Sequence, residues 1–153
     1  MVIVVAGNNE DSVMPVAYAN GAIIVRNAEP ERGQFSSLQV GLREVLNRGR
    51  DAAMVTLVDR PPVLPATITV LLEQFINSDA QTWATVPEYQ GKHGHPFLIG
   101  REMIEAFLRA PASATARDIE HQHQSHVCYV SVDDPRVTLN VDTPQDYAAL
   151  QTH

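Results

Sequence analysis

The stretch that decides the fold is Ala52–Pro62, with the sequence AAMVTLVDRPP. Its first seven residues are apolar apart from Thr56, a composition typical of a strand buried on both faces. Pro61 and Pro62 follow, and they end the strand because proline has no N–H to donate to a neighbouring strand. The pattern predicts a strand over residues 52–58 that delivers Asp59 and Arg60 to its carboxyl end.

The rest of the chain alternates apolar runs with segments of helical periodicity. Further strands are expected over residues 2–6, 22–25, 83–89, 96–99 and 127–132. Helices are expected shortly after residue 11, from a cap at Ser36 or Ser37 to about residue 47, and over 65–77, 101–110, 115–121 and 143–150. This order predicts an α/β fold with a mainly parallel, Rossmann-like sheet and helices on both faces, in a single domain over residues 1–153.

Composition and charge narrow the class of function. A net charge of −7 argues against a general nucleic-acid surface. No stretch approaches the roughly 18 apolar residues that a membrane span needs. The single cysteine, Cys128, favours a reducing, cytoplasmic location, and it is read as a strand residue rather than a reactive thiol. Ten of the eleven basic residues are arginine, which suits binding of a small phosphorylated ligand.

The carboxyl ends of the predicted strands carry the candidate site residues. In parallel sheets ligands bind beyond these ends, and the turns there contain Asn8, Asn27, Arg32, Ser36, Asp59 and Arg60. Asp59 suits a Mg²⁺ ligand beside phosphates, but an aspartate that hydrogen-bonds its own turn fits equally well. Asp142 also follows a strand, where it is either a second metal ligand or a helix cap.

Two other patterns leave alternatives open. His121, His123 and His126 lack the spacing of a zinc site and favour a solvated loop over metal binding. Gly91 and Gly94 permit either close backbone approach to a ligand or a plain hairpin turn. Neither of the glycine-rich phosphate-binding motifs, G-x-G-x-x-G and G-x-x-x-x-G-K-[ST], occurs in the sequence.

Four segments together resemble the MobA-like NTP transferase family, especially the cytidylyltransferase branch that joins CMP to molybdopterin. They are Val25–Leu42, Leu57–Pro61 with its D-x-P pattern, Gly91–Pro96 with its G-x-x-G-H-P pattern, and Asn140–Asp146 with its D-T-P-x-D pattern. They occur in the family's order and at about its spacing, and the resemblance extends to Leu150. The resemblance implies a GT-A-like nucleotidyltransferase fold that moves an NMP, expected to be CMP, from an NTP (CTP or GTP) to a molybdopterin-like acceptor.

The resemblance also implies roles for individual residues. Asp59 and Asp142 would be the catalytic residues and would hold Mg²⁺. The nucleotide-binding residues would be Asn27, Gly33, Ser36, Ser37, Leu38 and Arg60. The acceptor-binding residues would be Gly94, His95 and Pro96.

The chain departs from the family pattern at its start. Family members open with a strand and a glycine-rich loop, L-A-A-G-x-S-x-R-M-G, whereas this sequence begins at what resembles their second strand. We therefore expect an N-terminally shortened domain without those backbone donors for the NTP phosphates. This departure favours the alternative of an inactive remnant or a regulatory, ligand-binding module. The exposed edge of the neighbouring strand also favours a homodimer or another partner chain that covers it.

Overall fold

The computed structural model describes residues 1–111 and 113–150, and strands and helices alternate along them. The strands are β1 (Ile3–Ala6), β2 (Ile23–Arg26), β3 (Ala52–Val55), β4 (Ala84–Tyr89), β5 (Lys92–His93), β6 (Phe97–Gly100) and β7 (Val127–Ser131). The α-helices are α1 (Glu10–Ala19), α2 (Gln34–Asn47), α3 (Pro65–Asn77), α4 (Arg101–Arg109), α5 (Ala116–Gln122) and α6 (Pro144–Leu150). Among these described residues no helix combines the length and the apolar character needed to cross a membrane.

The chain forms two compact units, of which the first contains residues 1–52 and 101–123. Its sheet is a parallel pair, β1 and β2, in register from Ile3 opposite Ile23 to Ala6 opposite Arg26. Helices α1 and α2 pack on this pair, and α2 also packs on α4. Phe35 of α2 meets Phe107 of α4 edge to face, with ring centroids 6.0 Å apart. Burial of such apolar faces is what holds the helices in place.

The second unit, residues 53–100 and 124–150, contains a five-stranded sheet. Its central strand β4 runs antiparallel to β5 and β6 and parallel to β7, and β6 in turn pairs with β3. The expectation of a mainly parallel sheet is therefore wrong for this unit, although the fold is α/β. The reason is local: β4 and β5 are joined by the tight Gln90–Gly91 turn, with φ of 49° and 75°, and so short a connection forces antiparallel pairing.

Two predicted boundaries also need correction. The strand expected over residues 52–58 ends at Val55, and Val58 is fully exposed in the turn that follows. The residues of β3 are exposed or half-buried, so neither of its faces is as deeply covered as the apolar run suggested. Helix α2 begins after Gly33, whose φ of 93° suits glycine, so neither Ser36 nor Ser37 caps it. Helix α3 begins at Pro65 and ends at Asn77, as predicted.

Candidate functional site

Two segments of the second unit bring the two candidate metal ligands onto neighbouring stretches of backbone. We name them the Asp59 loop (residues 57–64) and the C-terminal segment (residues 134–142). The Val141 N–H donates to the Asp59 carbonyl at 2.8 Å. The Arg60 guanidinium donates from Nη1 to the Leu139 carbonyl at 3.1 Å. Asp142 directly follows Val141, so its backbone adjoins that of Asp59.

The surroundings of Asp59 and Asp142 help to decide whether these residues serve as a turn residue and a helix cap or are available as metal ligands. The Oδ1 atom of Asp59 is buried without a hydrogen-bond partner, so it does not stabilise its own turn. The cap of α6 is formed by Thr143, whose hydroxyl accepts from Asp146 N at 3.1 Å while the Asp146 carboxylate accepts from Thr143 N at 2.9 Å. Asp142 is therefore not the cap, and its side chain is exposed.

Two carboxylates fit a divalent cation that is shared with a ligand. Mg²⁺ is commonly held by one or two carboxylates together with substrate phosphates and water. Within residues 1–111 and 113–150 no group of three His, Cys, Asp or Glu side chains could hold a metal alone. Of the three histidines that were compared with a zinc site, His121 lies in α5 and His123 follows at the end of that helix. His126 stacks on Trp83, with ring centroids 3.9 Å apart.

Gly94, His95 and Pro96 lie between β5 and β6, and their backbone is fixed by the C-terminal segment. His95 N–H donates to the Val137 carbonyl at 2.8 Å. A Cβ at Gly94 would lie only 2.0 Å from that same oxygen. Glycine is thus required at position 94 because the Val137 backbone approaches so closely, while Gly91 lies in the hairpin turn between β4 and β5. Acceptor binding by Gly94 stays a prediction. Pro96 is buried.

The imidazole of His95 is electrostatically coupled to the Asp59 loop. Burial is the main cause that lowers its pKa from 6.5 to about 4, the positive charge of Arg60 lowers it further, and Asp59 opposes both. His95 is therefore neutral at pH 7. Its Nδ1 atom and the Nε atom of Arg60 are buried without hydrogen-bond partners.

Three unpaired polar atoms therefore belong to side chains that influence one another: Asp59 Oδ1, Arg60 Nε and His95 Nδ1. Buried polar groups are nearly always hydrogen-bonded in folded proteins, and those that are not point to a bound water, ion or ligand. The carboxylate suits a cation, and the guanidinium N–H suits an anionic oxygen. This part of the second unit can therefore bind a ligand that brings both.

In the first unit, the Asn27 loop (residues 27–37) is organised by one buried amide. Asn27 is 3% exposed and donates from Nδ2 to the hydroxyls of Ser36 and Ser37, at 2.9 and 3.0 Å. Its Oδ1 accepts from Glu29 N at 3.0 Å. Ser36 in turn donates to the Gly33 carbonyl at 2.7 Å. Both N–H groups of the Asn27 amide are therefore used inside the protein.

The Asn27 loop lines an open cavity of about 520 Å³ in the first unit. Binding sites for small molecules are typically 300–1,000 Å³. Three arginines contribute to its lining: Arg26, Arg32 and Arg43. Arg32 forms an ion pair with Glu29 at 2.7 Å, and Arg26 is 3.5 Å from Glu10. Glu29 and Glu44 also line the cavity, so acidic side chains partly offset the charge of the arginines. Leu38, also expected near the nucleotide, is half-buried in α2.

Sequence reasoning missed Asp134, a carboxylate that is 1% exposed. It accepts hydrogen bonds from Leu64 N and from the Thr67 hydroxyl, both at 2.8 Å, and from Arg136 N at 3.0 Å. Burial alone raises the pKa of Asp134, but these hydrogen bonds outweigh it and hold the pKa below the usual value. The Asp134-Pro135 dipeptide was the available signal, because aspartate before proline often starts a helical turn.

Comparison with solved structures shows that the fold of this chain is similar to that of the following proteins. Rv0371c from Mycobacterium tuberculosis H37Rv is 26% identical with a TM-score of 0.74, over 99% of this chain and 75% of that one. Its complex with manganese gives 27% identity and a TM-score of 0.74, over 99% and 77% of the two chains. A nucleotidyl transferase from Methanothermobacter thermautotroptrophicus has a TM-score of 0.78 at 20% identity, over 99% and 71%, which shows likeness of fold alone.

Comparison with family models shows which family the chain belongs to. No curated protein matches it significantly. The model of the MobA-like NTP transferase domain, however, matches residues 1–127, well over half of the sequence. The resemblance read from the four sequence segments is thereby confirmed: the chain belongs to the MobA-like NTP transferase domain family.

Proposed function

We propose that this chain transfers a nucleoside monophosphate, CMP in the first instance, from its NTP to a phosphorylated acceptor such as molybdopterin. An oxygen of the acceptor phosphate forms a bond to the α-phosphorus of the NTP. The bond from that phosphorus to the bridging oxygen breaks, and pyrophosphate leaves with the bonding electrons. Membership of the family supports the reaction class. The choice of CTP over GTP, the acceptor and a cytoplasmic location are parts of this proposal.

The observation that carries the proposal is the buried Oδ1 atom of Asp59, which has no hydrogen-bond partner and lies on a loop paired with the segment that ends in Asp142. These two residues would hold Mg²⁺, which supplies charge neutralisation on the NTP phosphates when it is bound. Phosphoryl and nucleotidyl transfer need such neutralisation and in-line positioning more than a covalent nucleophile. The residues of this chain match that requirement, since they offer carboxylates rather than an activated nucleophile.

Arg60 and His95 are proposed to contact the reacting phosphates or the acceptor. The unpaired Nε–H of Arg60 is a charged donor suited to a phosphate oxygen. His95 is neutral at pH 7 because its pKa is about 4. It can therefore hydrogen-bond an acceptor without adding a positive charge, and its backbone is already fixed by Val137.

The Asn27 loop is proposed to bind the nucleotide, but not through Asn27 itself. Both Nδ2–H groups of Asn27 are used by Ser36 and Ser37, so the amide positions the loop. The Ser37 hydroxyl accepts from Asn27 and keeps its own proton to donate. The arginines of the adjoining cavity supply positive charge for an anionic ligand. Gly33, which starts α2, allows the backbone turn on which this arrangement depends.

The proposal is tested by incubating the protein with Mg²⁺, molybdopterin and each NTP in turn, and measuring pyrophosphate release. Asp59→Asn and Asp142→Asn should each reduce the rate by at least about a hundredfold, as loss of transition-state charge stabilisation does elsewhere. Glu73→Gln is the matched control, because Glu73 is an exposed carboxylate on α3 of the same unit.

The outcomes separate the enzyme from a ligand-binding module. Release by the wild type that is lost in both aspartate variants and kept in Glu73→Gln supports the transferase. Release that is unchanged in Asp59→Asn contradicts the proposal. Binding of an NTP by isothermal titration calorimetry without any release, for all four NTPs, would instead favour the regulatory module.

A further inference from the structure

We propose that Asp134 is a positioning residue that sets the affinity of the Asp59 and Asp142 pair for a divalent cation. The inference rests on the proposed metal-binding role of those two residues. Asp134 itself does not touch the cation; it acts through the Asp59 loop and the C-terminal segment.

Asp134 joins three pieces of the second unit through its side chain. It accepts from Leu64 N at the end of the Asp59 loop, from the Thr67 hydroxyl in the first turn of α3, and from Arg136 N in its own segment. A carboxylate that is 1% exposed is costly to bury unless its oxygens are satisfied by hydrogen bonds. Asp134 is therefore ionised and held by three hydrogen-bond donors. The segments that supply these donors are fixed to one another through its carboxylate.

The same two segments are joined a second time beside the proposed metal ligands. There Val141 N donates to the Asp59 carbonyl, and Arg60 donates to the Leu139 carbonyl. Between the two junctions, Val137 accepts from His95 N. The Asp59 loop and the C-terminal segment are thus held together at both ends, by Asp134 at one end and by the backbone of Asp59 and Val141 at the other.

This double junction fixes how far apart the Asp59 and Asp142 backbones can move. A cation site has a higher affinity when its ligands are already held in the bound geometry, because binding then costs less conformational entropy. Loss of Asp134 would remove one of the two junctions. The Asp59 loop and the C-terminal segment could then move apart when no cation is bound. The carboxylates would remain present but less well placed.

The experiment measures Mn²⁺ binding to the full chain, with Mn²⁺ alone as the probe, by electron paramagnetic resonance of the free ion. In Asp134→Asn the side chain keeps its shape but presents an N–H₂ group where an acceptor is needed. We expect a Kd raised about tenfold, the range seen when outer residues that orient metal ligands are changed. Thr67→Val removes a single donor and should raise the Kd by a smaller factor in the same direction.

Two control variants separate positioning from general loss of stability. Ile99→Val thins the core of the same unit at a residue that is 1% exposed, without touching these hydrogen bonds. Glu73→Gln removes a surface carboxylate. Neither should change the Kd when the protein is folded by circular dichroism. If folded Asp134→Asn binds Mn²⁺ within twofold of the wild type, Asp134 has no positioning role; if Asp134→Asn does not fold, the same criterion applies to Thr67→Val.

A second readout distinguishes failure of this inference from failure of the proposed function. If the wild type binds no Mn²⁺, the metal role of Asp59 and Asp142 is wrong. Amide hydrogen exchange at Val141, which donates to Asp59, then decides the positioning claim. Faster exchange in Asp134→Asn or Thr67→Val than in Ile99→Val supports it, and equal exchange overturns it.

Discussion

Acidification below about pH 6.5 should destabilise this protein through His95. The pKa of His95 is lowered from 6.5 to about 4, mainly by burial and further by Arg60. The unfolded chain therefore binds a proton at this residue between those two values, and the folded chain does not. The contribution of His95 to the free energy of unfolding is constant above about pH 6.5. It falls as the pH drops towards 4 and is constant again, at its lowest value, below that.

The size of the effect follows from the same two values. Each pKa unit corresponds to about 1.4 kcal/mol, so the full loss is about 3 kcal/mol. By about pH 4.5, most of it, about 2.5 kcal/mol, is already expressed. Asp118, Asp134 and Asp146 have pKa values below the usual 3.8, and their stabilising contributions are lost only at still lower pH. The interval between about pH 7.5 and 4.5 therefore isolates His95 from these carboxylates.

The assay is urea denaturation followed by circular dichroism, at several pH values across this interval and with EDTA present. The free energy of unfolding is compared for the wild type, His95→Gln and His121→Gln, the last being a control at an exposed histidine of α5. The wild type and the control should each lose about 2.5 kcal/mol more than His95→Gln between the two ends of the interval. An excess loss below about 1 kcal/mol would refute the reasoning, because His95 would then titrate almost normally when folded.

Three further substitutions test the local geometry. Gly94→Ala places a Cβ 2.0 Å from the Val137 carbonyl and should lower the free energy of unfolding by about 1–3 kcal/mol, measured by urea denaturation; an unchanged midpoint would contradict the close approach. Asn27→Ala removes a buried amide with three hydrogen bonds and should cost about 2–3 kcal/mol by the same measurement, whereas exposed Asn47→Ala should cost far less. Thr115→Ala removes the capping box of α5 and should cost about 1 kcal/mol, and thermal denaturation that shows no change would mean that the cap with Asp118 does not form in solution.

Much of the fold could be predicted because the patterns that indicate helices, strands and turns involve residues close together in the chain. The Pro65 start of α3, the Gln90–Gly91 turn and most strands depend on residues that are near one another in sequence. The expectation of a mainly parallel sheet failed in the second unit because the alternation of strands and helices does not show the direction of a strand that follows a short turn. The end of β3 was missed because an apolar run does not reveal whether its strand lies at the edge of a sheet.

The candidate site was predictable as a set of residues but not as an arrangement. Asp59 and Asp142 stand out in sequence because each follows an apolar run, yet the Val141 to Asp59 hydrogen bond joins segments with no local sign of each other. Asn27 was expected to contact the nucleotide, and only the structure reveals that Ser36 and Ser37 use its amide. The Asp134-Pro135 dipeptide indicates a helical turn but not the hydrogen bonds to Leu64 and Thr67, because those partners lie far away in the chain.

The contacts between the Asp59 loop and the C-terminal segment also affect how the protein is made. Arg60 and Leu139 are 79 residues apart, and Leu64 and Asp134 are 70 apart. Contacts of such sequence separation form slowly, and during translation they must wait until the later partner has left the ribosome. A nascent chain that stops short of residue 142 therefore lacks one of the two proposed metal ligands, and the Asp59 loop has no C-terminal segment to pair with until residues 134–141 have been made.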